Sequence, residues 1–257
     1  MARHVLGLGA VDLVLSRDRA LSPAETRRLG RLLARRAARV PLQYLLGDVD
    51  FRGLRLAVNR AVLIPRPETE GLVERVLAFL GPRARGLVVD VGTGSGAIAL
   101  ALAAERPGIE VWATDVSPAA LRVARGNARR TGLSGRVRFF QGDLTAPIEG
   151  ADALRPLCAL VSNPPYVAPR DRRRLAPELS HEPPEALFAA SGGMAVIRRL
   201  LPRAARLLEP GGLVALEIGE DQGERVMALL RTAPWREARV ERDLAGKVRY
   251  ALARRAG

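Results

Sequence analysis

The chain has 257 residues, 48% hydrophobic, 26% charged and 4% aromatic, with a net charge of +14. That apolar fraction excludes wholesale disorder, and so few aromatics leave a core built mainly of Leu, Val and Ala. One cysteine, Cys158, and two histidines, His4 and His181, exclude an internal disulfide and a cysteine- or histidine-built metal site, so no metal is expected.

The N-terminal residues Met1-Ala2-Arg3-His4 lead into a short apolar stretch broken by Asp12 and Arg17. This is not the pattern of a secretory signal peptide. The longest apolar run, Ala97 to Ala104, falls far short of the ~18 residues of a membrane span. A cytoplasmic protein without membrane contact is expected. Lys247 is the only lysine among the 41 basic residues, a bias that reflects genome composition as much as function. A net +14 nevertheless brings acidic and nucleic-acid partners into consideration. Residues 1–60 hold 12 basic and 5 acidic residues and so carry half of the excess.

In chain order, Ser22-Pro23-Ala24-Glu25 reads as a capping box with proline at the first helical position. Leu29, Leu32, Leu33 and Ala37 then form one apolar stripe at helical spacing, with arginines opposite, and Pro41 ends the helix. Phe51 to Val58 alternates around Gly53 and predicts a hairpin. From Pro67 strands and helices alternate. Strands are predicted at Leu87–Val91, Val111–Asp115, Val137–Phe140, Ala159–Ser162 and Leu213–Ile218, the last after a Pro210-Gly211-Gly212 turn. A helix follows Gly96 and another is N-capped by Ser117. Arg239–Arg242 and Val248–Leu252, separated by Gly246, predict a closing antiparallel pair. Buried strands flanked by helices mean an α/β, mostly parallel, doubly wound sheet.

Four segments carry candidate chemistry, each at the carboxyl end of a predicted strand, where open α/β sheets bind ligands. Asp90-Val91-Gly92-Thr93-Gly94-Ser95-Gly96 is a glycine-rich turn fit for a dinucleotide, a nucleotide or S-adenosylmethionine. Asp115, about 20 residues on, suits the two ribose hydroxyls of an adenosine and repels a 2′-phosphate. In Gly142-Asp143-Leu144, the carboxylate suits an adenine amino group while the leucine packs on the ring. Asn163-Pro164-Pro165-Tyr166 is the most informative. Two prolines stiffen the backbone and remove N–H donors. The Asn163 side-chain carbonyl and the Pro164 carbonyl then accept both hydrogens of one –NH2 group, and Tyr166 stacks on a flat group. This is a clamp for a planar amide or an exocyclic amine.

Together these segments resemble class I S-adenosylmethionine-dependent N-methyltransferases. Asn-Pro-Pro-Tyr alone leaves DNA adenine, ribosomal-RNA guanine and protein glutamine as acceptors. Pro41-Leu42-Gln43-Tyr44-Leu45-Leu46-Gly47, Leu63-Ile64-Pro65-Arg66-Pro67-Glu68-Thr69-Glu70, His181 to Leu187 and Leu216-Glu217-Ile218-Gly219 resemble the HemK/PrmC family. The resemblance implies a Rossmann-like, mostly parallel seven-stranded sheet with a small N-terminal helical domain. The expected division is 1–48 for a helical substrate-recognition domain, 49–66 for a β-hairpin linker and 67–257 for the methyltransferase domain.

The implied activity is methylation, by S-adenosylmethionine, of the glutamine N5 in the Gly-Gly-Gln motif of class 1 peptide chain release factors, yielding S-adenosylhomocysteine. Carried over by position, Gly92, Thr93, Gly94, Ser95, Gly96, Asp115, Asp143, Leu144 and Asn163 hold the cofactor. Asn163, Pro164, Pro165 and Tyr166 hold the substrate glutamine, with Asn163, Pro164 and Tyr166 catalytic. A monomer without direct nucleic-acid binding is expected. Two departures stand out: the helical bundle ahead of Ser22 is short by roughly two helices, and Leu144 stands where the family tends to carry an aromatic. His181 is expected to order a loop, Cys158 to be buried and inert, and Arg170 to Arg174 to form a solvated run. Arg66 is expected near the pocket with Glu68 as partner.

Overall fold

The computed structural model describes residues 1–149 and 157–257. Four short helices come first: α1 (Ala2–Leu6), α2 (Ala10–Leu15), α3 (Pro23–Ala37) and α4 (Leu42–Leu46). The capping box at α3 forms as predicted. Ser22 Oγ accepts from the Glu25 N–H at 3.3 Å, and a Glu25 carboxylate oxygen accepts from the Ser22 N–H at 2.8 Å. The apolar stripe expected on α3 forms but is not buried. Leu29 and Leu32 are half-buried, Ala37 is exposed and Leu33 is 50% exposed. Amphipathic spacing makes a helix face apolar but supplies nothing to cover it, and the elements α3 packs against most, α1 and α4, are short.

A hairpin of β1 (Asp48–Phe51) and β2 (Leu54–Ala57) follows. Helix α5 (Pro67–Leu80) then leads into the main sheet. Its elements are β3 (Gly86–Val91), α6 (Ala97–Glu105), β4 (Ile109–Asp115), α7 (Pro118–Arg130), β5 (Val137–Gln141) and β6 (Leu157–Ser162). Two short 3-10 turns, Pro169–Arg174 and Pro177–His181, and the helical turns α8 (Pro184–Leu187) and α9 (Ala190–Gly193) lie between β6 and α10 (Ala195–Leu207). The chain closes with β7 (Leu208–Glu217), α11 (Gly223–Leu230), β8 (Trp235–Arg242) and β9 (Val248–Arg255).

The seven strands run in the order β5-β4-β3-β6-β7-β9-β8. Neighbours from β5 to β7 are parallel, while β9 lies antiparallel to both β7 and β8. The predicted Pro210-Gly211-Gly212 turn lies inside β7, as an irregularity opposite Leu157 and Ala159 rather than a break before the strand. One core packs α5, α6 and the hairpin residues Phe51 and Leu56 against one sheet face; a second packs α10, α11 and Trp112 against the other. Ala97 through Ala103 of α6 are all buried, so no polar face marks this helix in the sequence.

One buried side chain ties the hairpin to the glycine turn. Asn127 of α7 accepts from the Ala57 N–H at 2.7 Å and donates to the Ala57 carbonyl at 3.0 Å and to the Ser95 carbonyl at 2.9 Å. The order of strands reverses at β3, whose neighbours are β4 on one side and β6 on the other, and this is where open α/β sheets bind ligands.

Candidate active site

At the carboxyl ends of β3, β4 and β6 lies a cavity of about 200 Å³. Gly92, Gly94, Asp115, Val116, Asp143, Leu144, Asn163, Pro164 and Pro165 all reach its wall. Gly92 and Gly94 have φ of 74° and 56°, and no atom lies within 4 Å of where a Cβ would stand on either. The turn therefore presents bare backbone to the cavity. Thr93, Ser95 and Gly96 do not line it. They shape the turn from behind, with Thr93 and Ser95 buried.

Asp115 braces this turn. One carboxylate oxygen accepts from the Gly94 N–H at 2.8 Å and the other from the Ser117 N–H at 2.8 Å. Each oxygen keeps further lone-pair capacity for a hydroxyl donor. Burial holds its pKa above the ordinary carboxylate value. Asp143 is engaged differently: Arg199 donates to its carboxylate and Arg203 to its backbone carbonyl at 3.1 Å. Leu144 sits at φ +52°, a conformation that costs a branched residue energy and clusters at ligand sites.

Asp90, fully buried at the end of β3, accepts from the Thr93 hydroxyl at 2.6 Å and from the Ala99 N–H at 3.2 Å, both at Oδ2. Its Oδ1 and the Thr114 hydroxyl are the two buried side-chain atoms without a partner among the described residues. Burial pushes the Asp90 carboxyl up to about 7.

Asn163 also faces a second space. A groove of about 570 Å³ runs beneath the N-terminal helices and is lined by Arg36, Leu42 and Gln43 on one side and by Asn163, Tyr166 and Glu217 on the other. Tyr166 reaches this groove and not the first cavity; Pro164 and Pro165 do the reverse. The clamp thus stands at the junction, with Asn163 on both walls.

Behind it is a hydrogen-bond cluster that sequence reading did not assemble. Asn163 Nδ2 lies 3.2 Å from the Thr69 hydroxyl oxygen, the Thr69 hydroxyl donates to Glu217 Oε2 at 2.7 Å, and the Tyr166 hydroxyl donates to Glu217 Oε1 at 3.2 Å. Glu217 is buried, which raises its pKa against the lowering influence of Thr69 and Arg249. The backbone around Tyr166 is fixed by close approach. Its carbonyl accepts from Gln222 at 2.9 Å, and a Cβ on Gly193 would fall 2.0 Å from that oxygen.

Other expectations settle here. Arg66 does line the groove, but its partner is Glu182 rather than Glu68; Glu182 is buried and also accepts from the Ile64 N–H at 3.0 Å. His181 ties its loop to the N-terminal helices, with Nδ1 3.4 Å from Arg60 and Nε2 3.3 Å from the Ala38 carbonyl. Arginine only donates, so Nδ1 accepts and Nε2 donates. Cys158 is half-buried rather than buried, with its sulfur 3.4 Å from the Arg85 carbonyl and its pKa pushed up to about 11 by burial. Arg170 to Arg174 form an exposed 3-10 turn, as expected of a solvated run, apart from Arg172 over the Phe188 ring.

The donor set fits an adenosine-bearing sulfonium ligand. A bare backbone turn, a carboxylate for hydroxyls and an apolar wall of Val116 and Leu144 surround one cavity, and the buried Asp90 carboxyl holds the turn from behind through Thr93. Among the described residues no cluster of acidic, histidine and cysteine side chains suits a metal ion, and no helix is long and apolar enough to cross a membrane.

Comparison with known proteins agrees with this geometry. A family model described as methyltransferase small domain matches residues 72–210, and one described as PrmC N-terminal domain matches residues 1–47. A release factor glutamine methyltransferase from Deinococcus radiodurans is 44% identical over 257 residues, covering 100% of this chain and 90% of that protein. One from Moorella thermoacetica is 48% identical over 236 residues, covering 91% and 82%. Among solved structures, a methyltransferase from Pyrococcus furiosus shares the fold with a TM-score of 0.57 at 21% identity, covering 90% of this chain and 99% of that one. The N-terminal domain of human METTL16 in complex with SAH does so with a TM-score of 0.59 at 18% identity, covering 79% and 76%. With two family segments in chain order and identity that runs from the first helix to the last strand, the chain belongs to the release factor glutamine methyltransferase family.

Proposed function

We propose that the protein transfers a methyl group from S-adenosylmethionine to the side-chain amide nitrogen of the glutamine in the Gly-Gly-Gln motif of class 1 release factors. The observation that carries this reading is the position of Asn163, on the wall shared by the glycine-turn cavity and the groove under the N-terminal helices. The groove suits a protruding peptide loop. In this reading residues 1–48 grip the release factor, 49–66 link, and 67–257 carry the chemistry.

S-adenosylmethionine, when bound, supplies an electrophilic methyl group. Gly92, Gly94, Asp115, Asp143 and Leu144 hold it at the cavity wall, and Val116 adds an apolar contact. The amide nitrogen is a poor nucleophile because its lone pair is delocalised into the carbonyl. Asn163 Oδ1 and the Pro164 carbonyl accept the two amide hydrogens, which fixes the nitrogen and favours its pyramidal form. Orientation of this kind is worth up to ~7–11 kcal/mol. Tyr166 closes the groove side. The proton leaves to solvent once the nitrogen carries the methyl group, so the site needs no strong base.

The test is incubation with labelled S-adenosylmethionine and, in separate arms, purified release factor, ribosomal RNA and duplex DNA. Label on the Gly-Gly-Gln glutamine is expected. Label confined to nucleic acid would replace the amide acceptor by an exocyclic amine.

A further inference from the structure

Three groups from separate parts of the chain converge behind the clamp. Thr69 lies in the first turn of α5, Asn163 follows β6, and Glu217 ends β7. Thr69 and Glu217 are 4% and 1% exposed, so water does not compete for their bonds. The direction of each bond is then decided by chemistry. Both Glu217 oxygens accept, Oε2 from the Thr69 hydroxyl and Oε1 from the Tyr166 hydroxyl. A threonine hydroxyl has a single proton. Thr69 spends it on Glu217, so toward Asn163 its oxygen only accepts. The group of Asn163 that meets it must be the –NH2, at 3.2 Å.

The two ends of a side-chain amide diverge, so anchoring the –NH2 on Thr69 turns Oδ1 the other way. We propose that Thr69 and Glu217 are positioning residues that set the polarity of the clamp, forcing Asn163 to present an acceptor rather than a donor to the incoming amide. This rests on the glutamine reading above. An unanchored asparagine would turn over freely and meet the substrate –NH2 with its own –NH2 in a fraction of encounters. The fault would appear in turnover and not in cofactor binding. Tyr166, Arg249 and Glu68 are the other charged or titratable groups that act on Glu217.

The test compares Thr69→Val, which keeps the shape and removes the hydroxyl, with Thr69→Ser, which keeps the hydroxyl. Thr69→Val is expected to lower kcat on release factor about 10- to 100-fold, with S-adenosylmethionine affinity and melting temperature near those of the parent. Thr69→Ser is expected to stay within about threefold of the parent, on the same reasoning. A second readout needs no substrate. The Asn163 side-chain –NH2 resonances, identified by their loss in Asn163→Ala, are expected to be protected from hydrogen exchange in the parent and in Thr69→Ser and exposed in Thr69→Val. Full turnover by Thr69→Val, equal losses in both variants, or an unprotected Asn163 amide in the parent would overturn the assignment. Absence of release-factor methylation by the parent would instead strike the function, and the exchange measurement would still decide the polarity.

Discussion

Residues 1–47 and the strands around β3 are held together on different terms. In the first region only Val5, Val40, Pro41 and Leu45 are buried, and Val11, Val14 and Leu15 are 70%, 67% and 78% exposed. Its ties to the rest are few: Arg36 and Arg39 to Glu178 at 3.0 and 3.4 Å, the Tyr44 hydroxyl to the Val62 carbonyl at 2.6 Å, and Tyr44 packed against the small cluster of Val58, Val62 and Ala120. In the second, β3 is buried from Leu87 to Val91, and in β6 every residue but Cys158 is buried. Close packing fixes the strand ends, and with them the clamp and the glycine turn, to fractions of an ångström. The helical region leaves apolar and basic surface uncovered, as a region made to be completed by something else would. The proposed division of labour, chemistry in the sheet and grip in the helical region, would follow this difference in packing.

That division can be broken most sharply at the clamp. Asn163→Ala should lower kcat by about 10²–10³-fold while cofactor affinity stays near normal, read by methyl transfer beside calorimetric binding. Retained turnover would mean that the rigid half does not carry the reaction. Next in size is stability. Leu160→Ala, in the middle of β6, should cost about 2–5 kcal/mol in urea unfolding. Leu33→Ser on α3 should change it by no more than about 0.5 kcal/mol, because that leucine is already half in water. Equal losses would show that the helical region has a core of its own. The double substitution Arg36→Ala with Arg39→Ala should raise KM for release factor about tenfold and leave kcat at saturation unchanged. A fall in kcat instead would blur the line between grip and chemistry.

A further effect depends on pH. The folded pKa of Asp90 is raised by burial from 3.8 to about 7, so the folded state holds a proton that the unfolded state has lost across that interval. Its contribution to stability therefore falls as pH rises from about 4 to 7 and stays lost above. Asp90→Asn should melt with the parent near pH 4 and above it at pH 8, by about 2–4 °C for each kcal/mol relieved. A constant offset across pH would remove Asp90 as the source.

What the sequence disclosed follows from how each feature is written along the chain. The glycine turn and the Asn163–Tyr166 clamp are contiguous, so their residue types alone specify the geometry. Thr69 and Glu217 lie 94 residues before and 54 residues after Asn163, and only the sheet order brings them together. Helix α5, which supplies Thr69, opens at Pro67, just past the expected linker, and Thr69 entered the sequence reading only as part of the Leu63 to Glu70 segment. The α3 stripe was legible, but periodicity reports which face is apolar and not whether anything lies on it. Arg66 was paired with its neighbour in sequence, whereas its partner is 116 residues away.

Asn127 gives the hairpin a fixed station. To Ala57 it behaves as a neighbouring strand would, answering both the N–H and the carbonyl, while the same amide reaches the carbonyl of Ser95 within the glycine turn. A slide of the hairpin by one residue would strip this amide of two partners and pull on the third. The hairpin is therefore keyed to the glycine turn, and a displacement of the one would be felt in the other.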